Sequence, residues 1–375
     1  GRMTGPYLKN NPAGKPRIIG EHLNGAKTGH WKFYMVDGKT LDREAHFEND
    51  ELHGPYKKYY SDSVILREGS FDHGLKTGHW IWRLGSGAKD MEGDFKEDLQ
   101  HGKWTYYYPD GQVYYTGDFD SGKKTGIWEY FYKDGNKWKT GTFENDLKHG
   151  VWTTWFENGG DLQQGSYKEG KEDGPWSSWY ENGGDKDKGI YKEGQMHGAW
   201  SGFYPNGQMS YEGFYERDMK TGHWKYYFDD GKMRDEGSWK ISKKKSNMEE
   251  IIVESERYLE LSYKDGVWVS YSQVDGKKTA EGPYKLGKKE GAWKHYYPGG
   301  IVVAYENTFK NAKLNGKTTQ YNRRGRKLSE TNYKDNKKHG DMIIYGSRDK
   351  ILYHVKYKNG DIDKVLVERG GKRNR

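Results

Sequence analysis

Apolar residues in this chain fall in short bursts, two to each turn-bounded unit, and the unit recurs along the whole sequence. Each copy is headed by a glycine, at Gly5, Gly29, Gly54, Gly78, Gly102, Gly126, Gly150, Gly174, Gly198, Gly222, Gly266, Gly291, Gly316 and Gly340, with an aromatic, most often Trp, two residues on in all but the last two, where Thr318 and Met342 stand instead. Successive heads are 24 or 25 residues apart except for Gly222 to Gly266, an interval of 44. A fixed period in this range marks a repeat array in which each copy contacts mainly its neighbours. The copy at Gly102 is the plainest: the run Gly102–Tyr108, then Pro109-Asp110-Gly111, then Gln112–Phe119 and a second turn at Asp120–Thr125. Aromatic runs favour strands, and Asp-Gly supplies the positive φ that a tight hairpin needs. The unit therefore reads as two antiparallel strands and two turns.

The predicted fold is all-β: an elongated, twisted antiparallel sheet built from about fourteen β-hairpin repeats of 24–25 residues. Stacked at ~4.8 Å per strand, such hairpins would make a ribbon on the order of 130 Å long. The array divides into residues 1–240, an insertion at 241–260 and a continuation at 261–375, whose last copies diverge and turn basic, as capping copies do. The insertion, charged and without glycine, reads as a lengthened hairpin or loop. A short helix over Asn247–Arg257 is the alternative, with Ile251-Ile252-Val253 favouring strand.

Glycine recurs inside the second strand with an aromatic two residues on, as in Gly93/Phe95, Gly117/Phe119 and Gly141/Phe143. Glycine weakens a strand unless something compensates. Either a tryptophan from an adjoining strand lies flat over the bare backbone, with Trp104, Trp128 and Trp152 as candidates, or the glycines mark bulges that curve the sheet. A further aromatic sits five residues after most heads, three beyond the Trp, so it should point to the opposite face. At Arg83 this rule lapses.

Composition changes the picture in two ways. Mean hydropathy is −1.19 and 31% of residues are charged, yet there are 15 Trp, 32 Tyr and 12 Phe at periodic positions, which argues against disorder. The net charge of +8 is partly local, in Lys243–Lys245 and in Lys372, Arg373 and Arg375; elsewhere acids and bases alternate as on a solvated sheet. There is no cysteine, so no disulfide, and no apolar run approaches the ~18–20 residues of a membrane-spanning helix. The start at Gly1-Arg2 in place of methionine is compatible with a processed or tagged N-terminus, a removed secretory signal among the options.

Chemistry is hard to find. Gly38-Lys39-Thr40 and Gly316-Lys317-Thr318 imitate the end of a phosphate-binding loop but lack its first glycine. Histidines flank many heads (His53, His101, His149, His197 and His339 before, His30, His79 and His223 after), but equivalent positions lie two strands, ~9.6 Å, apart, too far for shared metal ligation. Packing of these histidines against the Trp rings is the expectation. No nucleophile–base constellation or carboxylate pair stands out, and no continuous basic groove offers itself to nucleic acid. No enzymatic activity, cofactor or metal is expected, and no nucleic-acid partner.

The pattern G-x-W-x-x-Y-x-x-x-G, then (E/T)-G-x-(Y/F) and a K-x-G-K-x-x-G turn, resembles the bacterial variant of MORN repeats from Gly5 to about Gly360. The resemblance implies an antiparallel hairpin array that binds proteins or membranes and performs no chemistry. An array of this length made only of such repeats also looks like the plug subunits that close the periplasmic mouth of the type IX outer-membrane translocon. That implies a non-enzymatic scaffold or plug, periplasmic and outer-membrane associated, whose partner is a large outer-membrane protein channel or another envelope protein. Aromatic residues favoured at interfaces would carry the contact: Trp104, Tyr107, Trp128, Trp152, Trp155, Trp176 and Trp179. The alternative is a peripheral module on anionic lipid headgroups through Lys243, Lys244, Lys245, Lys372, Arg373 and Arg375.

Overall fold

The computed structural model describes residues 2–61, 64–245 and 258–369. Among them are 31 β-strands and one 3-10 turn at Ser347–Asp349, with no α-helix. The chain forms two units, Gly1–Gly174 with Glu181–Gly183, and Pro175–Tyr180 with Gly184–Arg375. In the first, each strand from Gly5–Asn10 to Asp161–Lys168 pairs antiparallel with the next in the chain. In the second the same holds from Asp185–Lys192 to Asp361–Glu368, except that Lys288–Lys289 and Gly291–Tyr296 both pair with Lys278–Lys285, and Lys313–Leu314 and Gly316–Tyr321 both with Val303–Lys310. The expected all-β antiparallel array of hairpins is what the chain forms.

One device, repeated, makes the core. Trp128 on the strand Lys123–Phe131 lays its indole over Gly117 of the preceding strand. A β-carbon at Gly117 would sit 2.3 Å from the ring, so only glycine fits. The ladder slips at the same place: Thr116 pairs with Glu129 but Asp118 with Thr125, leaving Gly117 opposite the bulged residues Gly126–Trp128, with Gly126 at φ +65. The bulge leaves the Asp118 carbonyl to accept the indole N–H of Trp128 at 3.2 Å. Trp104 over Gly93 and Trp152 over Gly141 repeat the arrangement, with their N–H groups on Asp94 and Thr142 carbonyls. Aromatic cover and bulge, posed as alternatives by the sequence, are two halves of one motif.

The aromatic two residues past each strand glycine meets the indole edge-on: Phe95 on Trp104 at 5.1 Å, Phe119 on Trp128 at 5.2 Å, Phe143 on Trp152 at 5.0 Å. Such T-shaped pairs add about 0.5–1.5 kcal/mol each beyond area burial. A lysine two residues before the head then closes the packing. Lys124 stands 4.5 Å over Trp128 and 5.1 Å from Phe143, and Lys148 and Lys264 do the same in their copies. Burial pulls the ammonium of each of these lysines below its usual pKa.

Turns tie neighbouring repeats together. Asp110 caps its own hairpin by accepting Gln112 N–H at 3.2 Å. At the other edge, two successive residues in the left-handed region, Asn145 and Asp146, make the turn, and Asp146 accepts the N–H of Lys124 from the copy before at 2.8 Å. Tyrosines six past the head reach the next copy: Tyr108 donates to the Phe131 carbonyl and Tyr132 to that of Trp155. At the long interval the strands Met233–Lys245 and Tyr258–Tyr271 outrun their neighbours and pair as far as Lys245 with Tyr258. These lengthened strands are what the structure describes of the interval; the loop or helix considered over Asn247–Arg257 lies outside the described residues. Arg217, in a neighbouring turn, holds Glu260 of the extension at 2.9 Å.

Candidate protein-interaction face

The two faces of the repeat do different work. On the tryptophan face, Trp104, Trp128 and Trp152, expected to anchor a partner, are 1%, 0% and 4% exposed. This corrects the expectation: their rings are consumed by the sheet's own glycines and aromatics, and a partner cannot reach them in the folded repeat. Trp176 is only half-buried and meets Tyr191 edge-on at 5.2 Å.

The opposite face carries the residues one, three and five past each head. Tyr107 lies here, half-buried, and its hydroxyl donates to Glu92. Burial first, and then that carboxylate, push the Tyr107 phenol up to about 12. The same clasp joins Tyr59 to Glu44, Tyr227 to Glu212, Tyr271 to Glu236, Tyr296 to Glu281 and Tyr345 to Glu330, at 2.5–2.9 Å. At Arg83, where the aromatic lapses, the guanidinium takes its place and holds Glu68 at 2.7 Å. Sequence spacing placed the tyrosines on this face but missed the glutamate fifteen residues earlier (thirty-five across the long interval, for Tyr271), the signal that would have found the clasp.

Four consecutive copies break the rule. Their fifth residues are Phe131, Trp155, Trp179 and Phe203, and the glutamate position holds Thr116, Thr140, Gln164 and Lys188. The residues beside their glycines are apolar as well. In the first unit Ile127 is 64% and Val151 55% exposed; in the second Ile190 is 45% and Phe214 51%. Ile190, Ala199 and Phe214 line an open depression of ≈ 490 Å³ bounded by Lys188, Glu212, His223 and Lys225. Trp155 in the first unit and Trp179 in the second thus each sit on the side of their own unit that carries these exposed apolar residues, whereas the Trp104 row does not.

Histidines beside the heads engage carboxylates and not Trp rings: His79 lies 2.9 Å from Asp94, His223 3.3 Å from Glu236 and His149 3.5 Å from Glu144. Packing against Trp, the sequence expectation, gives way because the residue after a head points to the face opposite the indole. Of the basic residues expected at an anionic surface, Lys243 is exposed on the extended hairpin, opposite Glu260 in register. The side chains of Lys244 and Lys245, and all of Lys372, Arg373 and Arg375, lie outside what the structure describes.

Fold and surface together define a β-hairpin repeat scaffold. The family described as MORN repeat variant matches six of its copies, at residues 52–73, 100–121, 124–145, 196–217, 220–240 and 289–311. No curated protein matches the chain. Solved structures similar to it include that of TcdB2-TccC3, at 10% identity over 97% of this chain and 22% of the other, with a TM-score of 0.15. Another is TcdB2-TccC3-Cdc42, at 10% identity over 96% and 20%, with a TM-score of 0.13. The chain spans about a fifth of the length of those chains, and at such scores the likeness carries no argument.

Proposed function

We propose that this chain is a non-catalytic scaffold that takes a protein partner on the face opposite the buried tryptophans, at the depression of the second unit lined by Ile190, Ala199 and Phe214. The observation that carries the reading is that exposed Ile190 and Phe214 line this depression where the tyrosine–glutamate clasp is lost, with Phe203 in the tyrosine position and Lys188 in that of the glutamate. Ile190 and Phe214, each about half exposed, would gain about half of the ~1.5–3 kcal/mol that full burial of such a side chain gives, and half-buried Trp179 is the residue type that dominates interface energetics.

The most specific form of the reading is a periplasmic plug or accessory subunit bound to a large outer-membrane secretion channel; its support is the repeat resemblance. Pull-down from solubilised bacterial envelopes tests both levels. The wild-type chain should retain a large outer-membrane channel, and an Ile190→Asp/Phe214→Asp variant should lose it at least tenfold with folding intact. Retention by both proteins equally would remove the face, and failure to recover any channel would remove the plug. The membrane-surface alternative rests on exposed Lys243, which faces Glu260; absence of salt-sensitive pelleting with anionic vesicles would end it.

A further inference from the structure

Histidines at equivalent positions of adjacent copies lie two strands, ~9.6 Å, apart and cannot share a metal ion. A histidine at a non-equivalent position beside the row can come closer. His73 is such a residue. It stands in the turn after the strand Val64–Asp72, at φ +46, in a position that other copies fill with Asn24, Asn145, Asn311 or Asn359. There it meets His53, the residue before the head Gly54, with ring centres 5.1 Å apart.

Four side chains converge. Asp72 Oδ1 lies 2.7 Å from His73 Nδ1 and 3.3 Å from His53 Nδ1. Glu48 Oε2 lies 3.5 Å from His53 Nε2. Donor atoms of Glu48, His53 and His73 all fall within 4.8 Å of one another, and no other group of three such residues does so among the described residues. The Nδ1 atom of His53 is shut off from solvent and has no hydrogen bond of good geometry, so the ring is a polar group in want of a fixed role.

We propose that Glu48, His53 and His73 form a binding site for a divalent transition-metal ion, with zinc as the ion best matched to two imidazoles and a carboxylate. Asp72 is the positioning residue. By accepting from an imidazole Nδ1–H it fixes the tautomer whose Nε2 lone pair is free for the metal, as outer carboxylates do at histidine sites. Tetrahedral coordination at ~2.0–2.1 Å sets donors about 3.4 Å apart. Glu48 and His53 are already near that separation, while exposed His73 closes the remaining gap by side-chain rotation. Three protein ligands leave a fourth position open to water or to a side chain from a partner. The neighbouring copies show why the site is single: His101 with Asp120 and His149 with Glu144 repeat the pair but lack the turn histidine.

The test is titration of the full chain with Zn²⁺ followed by calorimetry, and with Co²⁺ followed by visible absorption. The wild type should show one site tighter than all others. His73→Asn, which restores the turn residue of other copies, should remove that site or weaken it a hundredfold. Asp72→Asn should weaken it about tenfold. His149→Asn should change nothing. Identical titrations for wild type and His73→Asn would overturn the proposal, as would an equal loss in His149→Asn.

Discussion

Copies headed by Gly102 and Gly126 are adjacent and share the tryptophan device to within 0.1 Å, since a β-carbon at Gly93 or at Gly117 would sit 2.3 Å from the indole covering it. Their other faces diverge. Tyr107 clasps Glu92, whereas Phe131 stands fifteen residues from Thr116 and has no carboxylate to hold. The difference teaches that fold and surface are encoded on separate positions of one repeat. Residues two and four past the head, with the strand glycine, build the sheet; residues one, three and five can be polar and clasped or apolar and open without touching that core.

The largest expected effect tests the shared half. Gly93→Ala and Gly117→Ala each force a methyl into an indole, and each should cost about 3 kcal/mol or more in urea unfolding, by overpacking and loss of the indole hydrogen bond. The comparison predicts equal costs. A much milder Gly117→Ala would show that the apolar copies do not share the core of their neighbours.

A smaller effect tests the half that differs. In a double-mutant cycle, Tyr271→Phe with Glu236→Gln should show a coupling of about 1 kcal/mol, a charged hydrogen bond discounted for its partial exposure. The corresponding cycle in an open copy, Trp155→Phe with Thr140→Ala, should show none within error. Coupling of similar size in both would mean that the glutamate adds nothing, and the division between clasped and open copies would lose its physical basis.

Much of this architecture was legible because each element has a local spelling. Asp110-Gly111 specifies its turn, Gly117 and Phe119 mark the second strand, and the period fixes which strands meet. What stayed hidden depended on pairs across strands. Burial of Trp104, Trp128 and Trp152 follows from where bare glycine backbone lies on the neighbouring strand, and a list of aromatics reads equally well as an exposed row. Lys124 looked like one charge among many on a solvated face, and only the stacked Trp128 and Phe143 show it as part of the packing. The Glu48, His53 and His73 cluster escaped because periodicity directs attention to equivalent positions, and His73 is not one.

The smallest effect is in the pH dependence, and its sign distinguishes the two kinds of copy. Burial and then the carboxylate push the phenols of Tyr107 and Tyr296 up to about 12, above the value of 10 in an unfolded chain. A group raised in this way contributes stability that is full below pH 10 and is lost as pH climbs from 10 to 12. Carboxylates of such clasps act at the other end. The Tyr271 hydroxyl holds Glu236 below 4.5, and Lys278 and then Tyr296 do so for Glu281, so that contribution is present above pH 4.5 and fades as pH falls through the lowered value. The buried lysines run in the opposite direction. Their ammonium groups are lowered, so charging them costs stability at neutral pH, and that cost is relieved by pH 10.5, beyond which only the tyrosine loss continues. Urea midpoints should therefore hold or rise slightly toward pH 10 and fall from there to 12. Tyr107→Phe should flatten the fall by well under about 1 kcal/mol after solvent screening. Trp155→Phe, at a position that holds no phenol, should leave the slope between pH 10 and 12 as it is. An alkaline limb unchanged in Tyr107→Phe would mean that the clasp does not hold its proton in the folded chain.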